Sequence, residues 1–158
     1  MKQPNLRASS WAELAEAAPD LATFASGRLR QGPAYLATVR ADGAPRVHPV
    51  TPIIGGGTLF VFMEPTSPKG RDLERRSRYA LHTSVPDNAG TGGEASLSGP
   101  ARRVDDPERR AVATAAASYT PAADYILFEL EVDEVVVTEY DASGRPKRRR
   151  WRTDARTS

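Results

Sequence analysis

The chain of 158 residues is long enough for one domain with a sizeable core. It has no cysteine, which excludes disulfides, zinc–thiolate sites, iron–sulfur clusters and thiol nucleophiles, and its two histidines leave a metal site to lean on carboxylates. The formal charge of +2 hides an asymmetry: the segment Arg145–Arg156 carries a local +6 and the remainder −4, so a nucleic-acid surface would rest on that segment alone and is not expected.

Met1–Asn5 lead into no apolar stretch, and no apolar run approaches the ~20 residues of a membrane span. The expectation is a cytoplasmic protein that does not enter a membrane. Ser10-Trp11-Ala12-Glu13 has the spacing of a capping box, and Trp11, Leu14, Leu21, Phe24 and Ala25 recur at helical intervals. Pro19-Asp20 divides this region into two short helices, the second ending at Gly27 or Gly32. The texture then turns to strands: Ala34–Arg40, the hairpin signal Asp42-Gly43, a single return strand Arg46–Ile54, the turn Gly55-Gly56-Gly57, and Thr58–Met63. Pro68–Arg76 reads as a helix and Tyr79–Val85 as a strand. Glu94–Val104 follows as a strand with a bulge at Gly99-Pro100, then a helix starting at Asp106-Pro107-Glu108. Ile126, Phe128, Leu130 and Val132 alternate with Glu129, Glu131 and Asp133, which read as a solvated face. Strands at Val135–Val137 and Lys147–Arg152 flank the turn Ser143-Gly144. Six or seven strands and three helices, with strand following strand, predict a mainly β fold, a barrel or a sandwich, rather than a doubly wound one.

Two stretches stand out chemically. Pro49 and Pro52 interrupt the ladder of Arg46–Ile54, which makes it either a protected edge strand or a strand left open for a flat ligand. Ser67, Lys69, Gly70 and Arg71 lie at a strand–turn–helix junction, where a hydroxyl, free N–H groups and two cations suit an anion; a solvated helix start is the plainer reading. His48 and His82 have no companion at metal-ligand spacing, and no nucleophile or phosphate-loop motif occurs. The basic stretch Lys147–Arg152 is read as a last strand because Trp151 argues against a free tail. Arg149 would then share a face with Trp151, opposite Arg148, Arg150 and Arg152.

From Ala34 to Trp151 the order of pieces resembles the pyridoxamine 5'-phosphate oxidase-like family of FMN-binding split β-barrels. Pro45-Arg46-Val47-His48-Pro49-Val50, the strand Leu59–Met63, and Ser67-Pro68-Lys69-Gly70-Arg71-Asp72-Leu73 carry the resemblance. It implies a split barrel over 34–153, preceded by a helical segment at 1–33 packed on it and followed by a flexible tail at 154–158. It implies a homodimer with two cofactor clefts between subunits and a small-molecule substrate. Arg46, Lys69 and Ser67 would hold the flavin phosphate, with Gly70 and Arg71 beside them. Val47, His48, Pro49, Val50 and Thr51, together with Phe62, Met63 and Glu64, would line the flavin ring. Trp151, with Arg149 or Arg150, would come from the other subunit. The fuller substrate set of a true pyridoxamine phosphate oxidase is absent. The expected activity is an FMN-dependent oxidoreductase in which no side chain acts as a catalytic residue. The alternatives are a deazaflavin-coenzyme-dependent reductase and a non-catalytic flavin- or haem-binding protein.

Overall fold

The computed structural model describes residues 8–153, so the expected flexible tail at 154–158 and the first seven residues lie outside the described residues. The elements are α1 (Trp11–Ala17), α2 (Pro19–Leu29), β1 (Ala34–Val39), β2 (Pro45–Val50), β3 (Ile53–Gly55), β4 (Thr58–Met63) and α3 (Pro68–Arg75). There follow β5 (Arg78–His82), β6 (Glu94–Val104), α4 (Pro107–Ala116), β7 (Ile126–Leu130), β8 (Glu134–Tyr140) and β9 (Pro146–Arg152).

The described residues thus hold nine strands and four helices, more than the sequence pattern implied. Pro19 stands at the first turn of α2, so α1 and α2 are distinct as expected, and α2 ends at Leu29, between the two expected stops, with Gly27 inside it. The expected single return strand breaks at Thr51-Pro52, where the chain leaves β1 and begins β3 against β4. Local signals hold elsewhere. Ser10 Oγ accepts from Glu13 N at 3.1 Å, while the Glu13 carboxylate accepts from Ser10 N at 2.8 Å. Asp106 caps α4 by accepting from Glu108 N.

Every strand pairing is antiparallel. One half-sheet runs β2-β1-β5-β6-β8-β9 and the other runs β6-β7-β4-β3, so β6 belongs to both. The architecture is the expected mainly β split barrel, curled around one core with helices attached. β6 changes partners at Gly99-Pro100, the expected bulge position. Residues through Pro100 pair with β5, and those from Ala101 pair with β7. The segment after β7 presses on this point: Glu131 N donates to Pro100 O and Asp133 N to Ser98 O, both at 2.9 Å.

The main core packs Trp11, Leu14 and Leu21 from the first helices with Leu36, Leu73, Leu81, Leu97 and Val135 from the barrel. A smaller cluster under α4 joins Phe60, Phe62, Leu127 and Ala113. β4 is therefore buried on both faces, with Arg109 and Arg110 lying over the Phe60 and Phe62 rings at 5.7 and 5.1 Å.

The supposed solvated carboxylate face is corrected. Asp133 is 1% exposed and pairs with Arg78, while half-buried Glu129 and Glu131 pair with Arg109 and Arg102. Alternation marks which residues share a face, but α4 covers part of the face that would otherwise meet water. Among the described residues no helix is long and apolar enough to cross a membrane.

A side chain at position 99 has no room: its Cβ would lie 2.0 Å from Glu131 O and 2.8 Å from the Glu131 carbonyl carbon. Both are backbone atoms in a buried crossing, so no rotamer relieves the clash. Gly99→Ala is expected to lower stability by about 3 kcal/mol or more, as read by urea unfolding.

Candidate functional site

The site elements meet where β1, β2 and α3 come together. Arg46 pairs across the ladder with Thr38, and both reach a carboxylate on α3. Thr38 Oγ1 donates to Asp72 Oδ2 at 2.8 Å, and Arg46 Nε donates to the same oxygen at 2.8 Å. Arg75 approaches Asp72 Oδ1 at 3.6 Å. Burial works to raise the Asp72 pKa, but the two hydrogen bonds and the Arg46 and Arg75 charges outweigh it and hold the carboxyl below its usual range.

Beside this carboxylate lies a cavity of about 280 Å³ lined by Arg40, Asp42, Arg46, Pro68, Arg71 and Arg75, among others. Four guanidinium groups face two aspartates there, an excess of positive charge suited to an anion. Ser67 is buried and caps α3 by position, yet its hydroxyl makes no cap bond. Instead Ser67 Oγ accepts from Lys69 Nζ at 3.1 Å. Burial pulls the Lys69 pKa below the usual lysine range, and the Glu64 charge opposes that shift. Gly70 is buried; a Cβ there would touch Met63 Sδ and the Phe128 ring at ordinary contact distance.

Of the expected site residues, Arg46 and Arg71 share one cavity, while Ser67 and Lys69 bond to each other outside its lining. Along β2, Val47 and Pro49 are exposed, Arg46 and His48 are half-buried, and Val50 is in the main core. β2 is the edge of its half-sheet, so Pro49 lacks an N–H where no further strand pairs. Thr51 lines a second cavity of about 370 Å³ with Pro52, Ile53 and Ile54, closed by Leu29 at the end of α2, by Arg30 after it and by Ala116. Phe62 and Met63 are core side chains, which leaves their backbone and exposed Glu64 as the parts able to meet a ligand.

Arg149 and Trp151 lie elsewhere. β9 is at the opposite edge of the six-stranded half-sheet, five strand spacings from β2, or roughly 24 Å along the sheet. Arg149 pairs with Glu139 at 3.1 Å, and Trp151 packs half-buried on the main core. His82 is half-exposed, with Nδ1 2.7 Å from Thr83 O and Nε2 4.0 Å from Glu94. Among the described residues no three His, Cys, Asp or Glu side chains are grouped to hold a metal ion.

Thr38 and Asp72 were not singled out from sequence. Asp72 lies inside the Ser67–Leu73 motif, and Thr38 sits at an inward position of β1; an acid directly after Arg71 was the available signal.

A model of the pyridoxamine 5'-phosphate oxidase family matches residues 21–139, from α2 into β8. No curated protein matches the chain. Solved structures share its fold at low identity. A heme-binding protein from Mycobacterium smegmatis is 22% identical with a TM-score of 0.61; the alignment covers 83% of this chain but only 58% of that one. PhzG from Burkholderia lata 383, solved with tetrahydrophenazine-1-carboxylic acid, is 17% identical with a TM-score of 0.63, covering 90% and 87%. An F420 reductase is 21% identical with a TM-score of 0.51, covering 65% and 87%.

Asp72 links local structure to acid stability. Because its folded pKa is depressed, its contribution is complete above the unfolded value near pH 4 and is lost as pH falls through the lower folded value. In urea titrations Asp72→Asn is expected to be about 2 kcal/mol less stable at neutral pH, with the gap to wild type narrowing below about pH 4.

Proposed function

Because the chain belongs to the pyridoxamine 5'-phosphate oxidase family, we propose that it is an FMN-dependent oxidoreductase with its cofactor phosphate at the junction of β2 and α3. The observation that carries this reading is the placing of Arg46, Lys69 and Arg71 at that junction, beside an edge strand interrupted by proline. The residues fit the group. Arg46 commits Nε to Asp72, and Arg71 is exposed at the mouth of the cavity. Planar guanidinium donors and a nearby ammonium match a phosphate dianion. An arriving anion also removes the penalty that burial imposes on the Lys69 ammonium.

The flavin supplies the electron-transfer chemistry, and the chain holds and orients it. The backbone of Val47–Thr51 gives the ring a flat edge, and the Thr51–Ile54 cavity gives a small substrate room at the far end of β2.

The working unit is a homodimer. In this reading Trp151 and Arg149, at the other edge of the half-sheet from β2, complete the cleft of a second copy. The surface open to a second copy is the outer face of the six-stranded half-sheet, which on β9 carries Arg150 and Arg152 rather than Arg149 and Trp151. Two cross-strand rows lie on it, Pro49–Tyr35–His82–Ser96–Val136–Arg150 and Val47–Ala37–Ala80–Ser98–Glu134–Arg152. Ala37, Ala80, Ser96 and Ser98 fill its middle beside His82; Tyr35 and Val47 are 45% and 61% exposed, and Arg150 and Arg152 lie at one end, paired with Glu134.

Lys69→Ala is expected to weaken FMN binding by about one to two decades, the loss of one charge-assisted contact, while riboflavin affinity barely changes. Fluorescence titration with both ligands checks this. Equal losses for the two ligands would move the phosphate elsewhere, and tighter binding of haem or a deazaflavin coenzyme than of FMN would replace the cofactor assignment. In sedimentation velocity the wild type is expected to run at twice its 17.1 kDa mass, burying upwards of ~2,000 Å². Ala80→Arg, at the centre of the uncovered face, is expected to yield monomers; a monomeric, flavin-loaded wild type would refute the shared cleft.

A further inference from the structure

Arg28, near the end of α2, is a buried cation without an anion. The residue is 9% exposed. One terminal nitrogen donates to Gln31 Oε1 at 2.8 Å, the other to the main-chain oxygen of Ser84 at 2.9 Å, and buried Nε has no partner. Both acceptors are neutral, and among the described residues no carboxylate pairs with this guanidinium. A guanidinium does not lose its proton in a protein, so titration offers no escape from the cost of an uncompensated buried charge. The Asp72 cluster shows the contrast, since there Arg46 meets a carboxylate.

Arg28 also lines a cavity of about 520 Å³ between α2 and the connection from β5 to β6, within the roughly 300–1,000 Å³ typical of small-molecule sites. Phe24, Gly27, Pro86 and Gly92 give this cavity its apolar wall; Arg28 and Gln31 give it a charged end. The wall is held back from the charge at one point. Gly92 has φ +77°, and a Cβ there would lie 2.8 Å from Arg28 Nη1.

We propose that this cavity is a second ligand site that takes a small apolar carboxylate, its charge on Arg28 and its body against Phe24 and Pro86. A monoanion is favoured over a phosphate because there is one cation to neutralise and most of the remaining wall is apolar, with only the neutral Thr23, Gln31 and Thr91 as further polar groups. None of the lining residues belongs to the β2–α3 junction, so the site stands or falls independently of the flavin assignment.

The test is an amide NMR titration of the full chain with benzoate and with benzamide, its neutral isostere. Benzoate is expected to bind saturably, shifting the Gly27 and Gly92 amides, at least ~10-fold more tightly than benzamide. Gln31→Glu places a carboxylate beside the guanidinium without removing the arginine. It is expected to raise the melting temperature and weaken benzoate at least ~10-fold. Arg28→Gln is expected to abolish the preference for benzoate over benzamide. Equal affinity for the two ligands, no saturable binding, or benzoate affinity unchanged in Gln31→Glu would each overturn the proposal.

Discussion

The carbonyl of Glu131 occupies the space in which a side chain at position 99 would stand. That single close approach lets β6 pass from one half-sheet to the other while the chain after β7 crosses against it. Glu131 N donates to Pro100 O, and buried Tyr79 donates its hydroxyl to Glu131 O at 2.8 Å. Burial and the Asp133 charge push the Tyr79 pKa up, so this donor keeps its proton across the working pH range. The crossing also sets the next register. Asp133 N reaches Ser98 O, which starts β8 beside the first half of β6, and β9 then pairs with β8. With β6 fixed in this way, β5 and β1 follow on one side and β7 and β4 on the other. The β2–α3 junction is therefore positioned by a contact far from it in sequence.

Asp72 plays a similar role on a smaller scale. Its desolvation opposes the charged form, and Thr38, Arg46 and Arg75 reverse that balance. A carboxylate so held fixes the Arg46 side chain on the inward face of β2 and ties α3 to β1. It does not neutralise the neighbourhood, because Arg40, Arg71 and Arg75 remain around the same cavity with only Asp42 as a further acid. Structural pairing and residual positive charge are thus compatible. One acid orders the arginine, and the remaining cations create the field that an anion would meet.

Much of this was legible locally. The capping box at Ser10, the proline start of α2, the hairpin between β1 and β2 and the cap of α4 all depend on residues within a few positions of one another. Trp151 correctly marked β9 as ordered, since its ring packs on the main core. What escaped depends on distant partners. The break at Thr51-Pro52 separates pairing with β1 from pairing with β4; Pro52 marked an interruption, but nothing local said that the chain there changes partner strands. Asp133 sat in an apparently solvated series because its partner, Arg78, lies 55 positions away. The Ser67–Arg71 motif was visible, but its division was not: Arg71 faces the cavity with Arg46, while Lys69 turns to Ser67.

The relatives that share this fold are named for a heme-binding role, for a complex with a tetrahydrophenazine acid and for F420 reduction. Such variety is what the architecture permits. The features that make the barrel, the Gly99 crossing, the shared strand β6 and the doubly buried β4, are backbone and core constraints that make no demand on the groups at the β2–α3 junction. Under the proposed reading, ligand choice would reside in exposed or half-exposed side chains whose replacement leaves those constraints intact. Val47 and Pro49 project from an edge strand, Lys69 and Arg71 from the first turn of a helix, and none of them is part of the main core. The fold fixes where these side chains stand; under the proposed reading their charge and shape would select the ligand, so specificity would be a property of a few positions carried on a frame that many chemistries can share.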